Sequence, residues 1–122
     1  AEKVLFPKTI KYGTGVIVRI PLLFGLLTGK FNRQSTFTED DHRRFNLSAE
    51  KLDANLTRLE ALRPLFEHNP SQSMAQVSLR FCISHPACHT VIPGAKTPAQ
   101  VRDNVRASDL GPLSTEDATL IV

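Results

Sequence analysis

The sequence predicts an α/β fold made of parallel βα units and mostly helical by content, and three observations carry that expectation. Residues 16–20 (Val-Ile-Val-Arg-Ile) are a β-branched run of the kind that forms a strand buried on both faces. Residues 90–92 (Thr-Val-Ile) repeat the pattern over a shorter length. Segments with helical apolar spacing separate the two, and strands that alternate with helices pair in parallel. Two buried strands leave sheet edges unsatisfied, so residues 1–122 read as one incomplete domain, a piece of a larger α/β sheet or barrel.

Each element has its own signal. Residues 1–12 favour helix but carry Pro7, which predicts a short or broken one. Gly13 and Gly15 punctuate the chain before the first strand, and Pro21 ends that strand. Residues 22–30 contain Gly25 and Gly29 yet stay apolar, which predicts a loop held against the core. Thr38, followed by Glu39, Asp40 and Asp41, has the form of a helix start with acids in its first turn. Ser48 opens an amphipathic helix with Leu52, Leu56, Leu59 and Phe66 on one face, and Pro64 is expected to kink or split it. A further helix begins at Ser71 or Ser73, runs to about Ser84 with little polar face, and stops at His85-Pro86. Thr97 is an N-cap, Pro98 a first helical residue and Gln100 the partner in a capping box, for a helix to about Ala107. Ser114 starts a last helix. Neither an internal repeat nor a low-complexity stretch is present.

Composition narrows the class. The chain of 122 residues is 41% hydrophobic and 22% charged, ordinary for a globular protein. A net charge of +3 does not by itself call for nucleic acid. The longest apolar stretch, residues 16–27, is broken by Arg19, Pro21 and Gly25, too short for a membrane span. With two cysteines and no recognisable leader, a cytoplasmic setting is expected.

The chemistry concentrates in two loops. Residues 92–98 (Ile-Pro-Gly-Ala-Lys-Thr-Pro) join a strand to a capped helix. Gly94 lets backbone approach a ligand, the helix start favours an anion, and Lys96 adds a positive charge just ahead of it. From spacing alone, a phosphate site and an ordinary strand-to-helix connection both remain open. Cys82, His85, Cys88 and His89 lie within eight residues, a spacing that strains tetrahedral zinc, so no metal site is expected. The helices at 74–84 and 98–107, with Arg102 and Arg106 on the second, superficially suggest helix-turn-helix. The segment between them is too long for that turn and contains a strand candidate. Neither nucleic acid nor a membrane is therefore expected as a partner.

Residues 91–104 (Val-Ile-Pro-Gly-Ala-Lys-Thr-Pro-Ala-Gln-Val-Arg-Asp-Asn) resemble the C-terminal cofactor signature of the aldo-keto reductases, in the branch that carries Ile-Pro-Gly. Residues 19–30, from Arg-Ile-Pro-Leu to Gly-Leu-Leu-Thr-Gly-Lys, are similar to the stretch after that family's seventh strand. The likeness covers nearly the whole chain. It implies the C-terminal portion of a (β/α)8 barrel, about two βα units plus the closing helices, of an oxidoreductase that moves hydride between NADP(H) and a small carbonyl or alcohol. It implies that Pro21, Leu22 and neighbouring backbone follow the pyrophosphate and that Lys30 reaches a phosphate. Gly94 and Lys96 would meet the adenosine 2′-phosphate, with Gln100, Asp103 and Asn104 around ribose and adenine. Arg19 stands where many relatives stack an aromatic ring on nicotinamide, a place a planar guanidinium also suits. Ile20 replaces a frequent serine.

The resemblance also implies what is not here. The family's tyrosine proton donor and its lysine, aspartate and histidine companions belong to the first half of the barrel, and this chain begins after them. No catalytic residue is expected within it, and the isolated chain is expected to be inactive and either to associate with itself or to survive only with the rest of its barrel. The alternative reading is a non-catalytic interaction protein that retains the barrel fold.

Overall fold

A computed structural model describes residues 1–121. The elements, in chain order, are α1 (Leu5–Tyr12), β1 (Ile17–Arg19), a run of 3-10 turns (Leu23–Thr28), α2 (Arg43–Asn46), α3 (Ala49–Ala61), α4 (Arg63–His68), α5 (Met74–Ile83), β2 (Thr90–Ile92), α6 (Pro98–Leu110) and α7 (Thr115–Thr119). β1 and β2 pair in parallel, with Ile17 opposite Thr90, Val18 opposite Val91 and Arg19 opposite Ile92. The chain is thus mostly helical around a two-stranded sheet, with α5 packed against both α6 and β2.

Local chemistry accounts for most boundaries. Pro7 falls in the first turn of α1, where its missing N–H has no partner to lose, so the helix is intact. Gly13 closes it in the left-handed conformation at φ 62°. Pro64 does split the amphipathic segment, sitting in the first turn of α4. The break resets the helical phase, so Leu65 rather than the expected Phe66 is buried. Ser73, not Ser71, caps α5: its hydroxyl accepts from the Gln76 N–H while the Gln76 side chain accepts from the Ser73 N–H. Such a box is worth about 1 kcal/mol.

Other expectations are corrected. The first strand is three residues long, not five, and it is not buried: Ile17 is 62% exposed and Ile92 on β2 is 53% exposed. Ile20 has left the strand altogether at φ 55°. No helix starts at Thr38, whose hydroxyl instead donates to Asp40. Asp41 accepts the Arg43 N–H, and α2 begins there. α5 is well buried, as its small polar face predicts, but Gln76, Ser78 and Arg80 are buried beside Ala75, Val77 and Leu79, while Phe81 is 46% exposed. α6 runs past Ala107 to Leu110, where Gly111 at φ 72° turns the chain away. Gln100 does not complete a capping box with Thr97: its carbonyl reaches one residue further back, to the Lys96 N–H at 2.7 Å.

Two apolar clusters form the core, and the 3-10 segment feeds both. Leu22 packs with Ala75, Leu79 and Ala107, backed by Leu27 and Val91. Leu26 packs with Leu52 and Leu56, backed by Leu23, Phe31 and Leu59. Burying Leu22 and Leu26 contributes roughly 1.5–3 kcal/mol each, enough to hold an otherwise irregular loop. The loop held against the core is thus present as expected.

Polar ties fix the C-terminal segment. The buried Arg80 donates to the carbonyls of Gly111 (2.8 Å) and Pro112 (2.7 Å) and to Gln72 Oε1 (2.8 Å). The buried Asp117 carboxylate accepts from Asn69 Nδ2 (2.8 Å) and pairs with His68 Nδ1 (2.9 Å). Burial pushes the Asp117 carboxyl up, but the hydrogen bonds from His68, Asn69 and Ser114 outweigh it and hold it below the usual carboxylate range. The same Asp117 bond, helped by the Glu116 charge, raises His68 above its ordinary value of 6.5.

Two expected outcomes follow from this architecture. A polypeptide of these residues alone has both outer edges of its sheet unpaired and Ile17, Ile20 and Ile92 exposed, so it is expected to self-associate. Sedimentation over a dilution series should show the apparent mass rising with concentration, and a monomer at every concentration would contradict this. The second outcome concerns pH. Stability from the raised His68 is complete below 6.5 and fades as pH rises through its folded value. Stability from the depressed Asp117 is present above 3.8 and fades as pH falls through its lowered value. Protection factors for residues 114–119, with the intrinsic rise of amide exchange with pH divided out, should therefore be highest at mildly acidic pH and fall towards alkaline pH. His68→Gln should remove most of that alkaline fall in protection.

Candidate functional site

The two sequence-distant loops meet in one groove. Its volume is about 1080 Å³, and its walls come from residues 20–30, residues 38–43, the start of α5, the loop after β2 and the first turns of α6. Of the positions expected to hold a cofactor, Ile20, Pro21, Leu22, Lys30, Gly94, Lys96, Gln100, Asp103 and Asn104 all line it. Arg19 does not; it lies exposed at the end of β1.

Backbone conformation shapes the floor. Ile20, Leu23 and Phe24 take positive φ (55°, 45° and 57°), and Gly25 follows at 94°. Three side-chain-bearing residues in the left-handed region cost on the order of 1 kcal/mol or more each, strain that the burial of Leu22 and Leu26 offsets. The turn brings Pro21 and Leu22 to the groove and then sends the chain out to Lys30. A Cβ on Gly25 would sit 3.0 Å from Lys30 Cε and Nζ, so Lys30 lies directly over a bare backbone. Thr28 Oγ1 donates to the Gly25 carbonyl at 2.7 Å and fixes the far side of the turn.

Positive charge gathers in the groove. Burial pushes the Lys30 ammonium below its ordinary pKa, and the nearby Arg43 and Lys96 lower it further, with Asp41 acting in the opposite direction. Three cations from three separate segments thus repel one another across the groove. Lys30 Nζ lies 5.0 Å from the Phe31 ring centre. The Arg43 guanidinium lies 5.6 Å from Phe31 and 5.1 Å from Phe37, and those rings meet edge-to-face at 5.3 Å. The α6 N-terminus, capped by Thr97, adds the positive end of a helix dipole.

Not every lining group is free. Asp103 accepts from Ser73 Oγ (2.7 Å) on one carboxylate oxygen and from Gln76 Nε2 (2.7 Å) on the other. The capping box of α5 therefore also ties α6 in place. Gln100 Oε1 is engaged by the Lys96 N–H, which orders the loop that presents Lys96. Sequence reasoning missed Asp41, Arg43, Thr28 and Ser73 as lining residues. The one available signal was the Arg43-Arg44 pair, following two aspartates and flanked by Phe37 and Phe45.

The cysteine–histidine cluster has other duties. His85 Nδ1 accepts the Ala87 N–H, and its ring lies 4.4 Å from that of Phe6. His89 Nδ1 accepts the Val16 N–H at 3.1 Å. Among the described residues no group of three or more His, Cys, Asp or Glu side chains is placed to hold a metal ion. No described helix is long and apolar enough to cross a membrane. β2 lies between α5 and α6, so these two helices are not the arms of a helix-turn-helix.

The groove thus brings together two glycine-bearing loops, a helix start and three cations. The profile of the Aldo/keto reductase family matches residues 1–122. The chain belongs to that family. It is 31% identical over 93% of its length to a probable voltage-gated potassium channel subunit beta of Arabidopsis thaliana, covering 36% of that protein. It is 33% identical over 89% of its length to an L-glyceraldehyde 3-phosphate reductase of Escherichia coli O157:H7, covering 33% of it. An uncharacterized oxidoreductase of Bacillus subtilis is 29% identical over 91% of the chain and 34% of its own length. The chain thus spans about a third of the length of these curated relatives.

Gly25 in this aldo/keto reductase chain tests the turn. Gly25→Ala places a Cβ against Lys30 and forces alanine to φ 94°, and is expected to destabilise the loop by about 1–3 kcal/mol. Proteolysis within residues 20–30 should become faster while the melting of α5 and α6 changes less. An unchanged cleavage rate would show that the turn relaxes freely.

Proposed function

We propose that this chain is the NADP(H)-holding portion of an aldo-keto reductase-type oxidoreductase, folded in the whole protein as the closing βα units of a (β/α)8 barrel. The observation that carries the reading is the convergence of Lys30, Arg43 and Lys96 on the groove that Pro21, Leu22 and Gly94 line. Polar donors and cations on one side, with apolar Leu22 and Ala75 beneath, suit a dinucleotide with several phosphates. When bound, the nicotinamide cofactor supplies the hydride that interconverts a carbonyl and an alcohol.

Within this reading each residue has a task. Pro21, Leu22 and the strained backbone around them support the pyrophosphate, and Lys30 and Arg43 neutralise it. Gly94 leaves room for the adenosine 2′-phosphate, which Lys96 meets. Gln100 orders the Lys96 loop from outside the ligand, and Asn104 faces the ribose and adenine. Asp103 holds α6 to α5 through Ser73 and Gln76, which leaves its carboxylate little capacity for a ligand. The proton-donating tyrosine and its companions are supplied by other parts of the protein, together with the carbonyl pocket.

A second reading is favoured by the likeness to potassium channel β subunits: an accessory protein that keeps the cofactor groove while acting through association. Turnover of small aldehydes by the whole protein separates the two.

Lys96→Ala in the whole protein should weaken NADPH binding by roughly tenfold or more while changing NADH binding far less, because only NADPH carries the 2′-phosphate. Fluorescence titration reads both. Equal losses would remove Lys96 from the 2′-phosphate position.

A further inference from the structure

One carboxylate of the groove pairs directly with one of its three cations. Asp41 lines the same cavity as Lys30, Arg43 and Lys96 and forms a two-oxygen ion pair with the Arg43 guanidinium, Nε lying 2.9 Å from each oxygen. It also accepts the Arg43 N–H at 2.9 Å, so the pair closes a tight local ring. Hydrogen bonds from the Arg43 side chain and backbone, with the charges of Arg43 and Lys96 adding, hold its carboxyl down at about 2. The guanidinium meanwhile lies near the rings of Phe31 and Phe37. Its position therefore has two independent supports, one ionic and one aromatic.

Asp40 is the natural comparison. It lines the same groove and carries the same charge, but its carboxylate is held by the Thr38 hydroxyl at 2.6 Å. Asp40 lowers the groove's positive potential only in general, whereas Asp41 occupies a particular cation.

We propose that Asp41 is an affinity-determining residue whose carboxylate stands in for a ligand phosphate at Arg43, so that an entering phosphate must take Arg43 away from it. The inference rests on reading the groove as a phosphate site and adds a determinant of its occupancy. A guanidinium presents its donors in a flat fork that a carboxylate or a phosphate satisfies in the same way, and the two compete for one face. Phe31 and Phe37 keep Arg43 in place when Asp41 lets go. The residue thus limits the cation cluster's self-repulsion when no ligand is there, and lowers affinity when one is.

The test uses the whole protein with Asp41→Asn, Asp40→Asn and the double variant Asp41→Asn/Arg43→Gln, each checked for an unchanged melting profile. NADPH and inorganic pyrophosphate are titrated into all of them. Asp41→Asn is expected to bind NADPH roughly five- to tenfold more tightly than wild type, Asp40→Asn to stay within about twofold, and the double variant to lose the gain. Unchanged or weaker binding by Asp41→Asn overturns the proposal and makes Asp41 a support for Arg43. An equal gain from Asp40→Asn also overturns it, because general charge then suffices. If NADPH binds to none of them but pyrophosphate binds Asp41→Asn more tightly than wild type, the cofactor reading fails and this inference stands. If neither ligand binds Asp41→Asn more tightly, the inference fails.

Discussion

The fold turns on one short apolar segment anchored in two cores at once. Leu22 is buried among α5 and α6 residues, and four positions later Leu26 is buried among residues of α3. Between them the chain must reverse sharply, and it does so through Leu23, Phe24 and Gly25 at positive φ. Only the buried leucines make that conformation tolerable, since left-handed backbone at side-chain-bearing residues is costly. Release of either leucine would relax the turn and with it the position of Lys30.

That constraint explains why the site and the core cannot be separated. The residues lining the groove floor are core residues on their other side, and α5 serves both. Its N-terminal Ser73 and Gln76 cap the helix and hold Asp103 of α6, while Gly29 lies so close to Met74 that an added Cβ would fall 2.5 Å from its sulfur. The first loop and α6 are thus both registered against α5, while β1 and β2 pair directly ahead of the two loops. Exposed ion pairs such as Arg33–Asp53 and Arg63–Glu67 add little by comparison, being screened and mobile.

The groove is electrostatically tense. Cations at Lys30, Arg43 and Lys96 come from three segments, and the lowered Lys30 reflects desolvation of its own ammonium and repulsion from the other two. The fold spends stability on this arrangement and recovers part of it through Asp41 and the Phe31 and Phe37 rings.

The sequence by itself determined what short-range chemistry controls. Caps at Ser73, Thr97 and Ser114, the split at Pro64, the glycine stop after Tyr12 and the two strand positions were legible because each depends on a few neighbouring residues. The two loops that line the groove were legible because their glycines, prolines and lysines sit in contiguous motifs. Tertiary structure alone decided the rest. Leu65 displaced Phe66 because a one-residue break rotates the following helix. Ile17 and Ile92 are exposed because a strand's burial depends on what lies across the sheet, which alternation along the chain does not contain. Arg43 and Asp41 joined the groove because a segment with no periodic pattern folds back over it, and Asp103 was claimed by α5. Such pairings depend on distances between residues remote in sequence, and no local pattern encodes them.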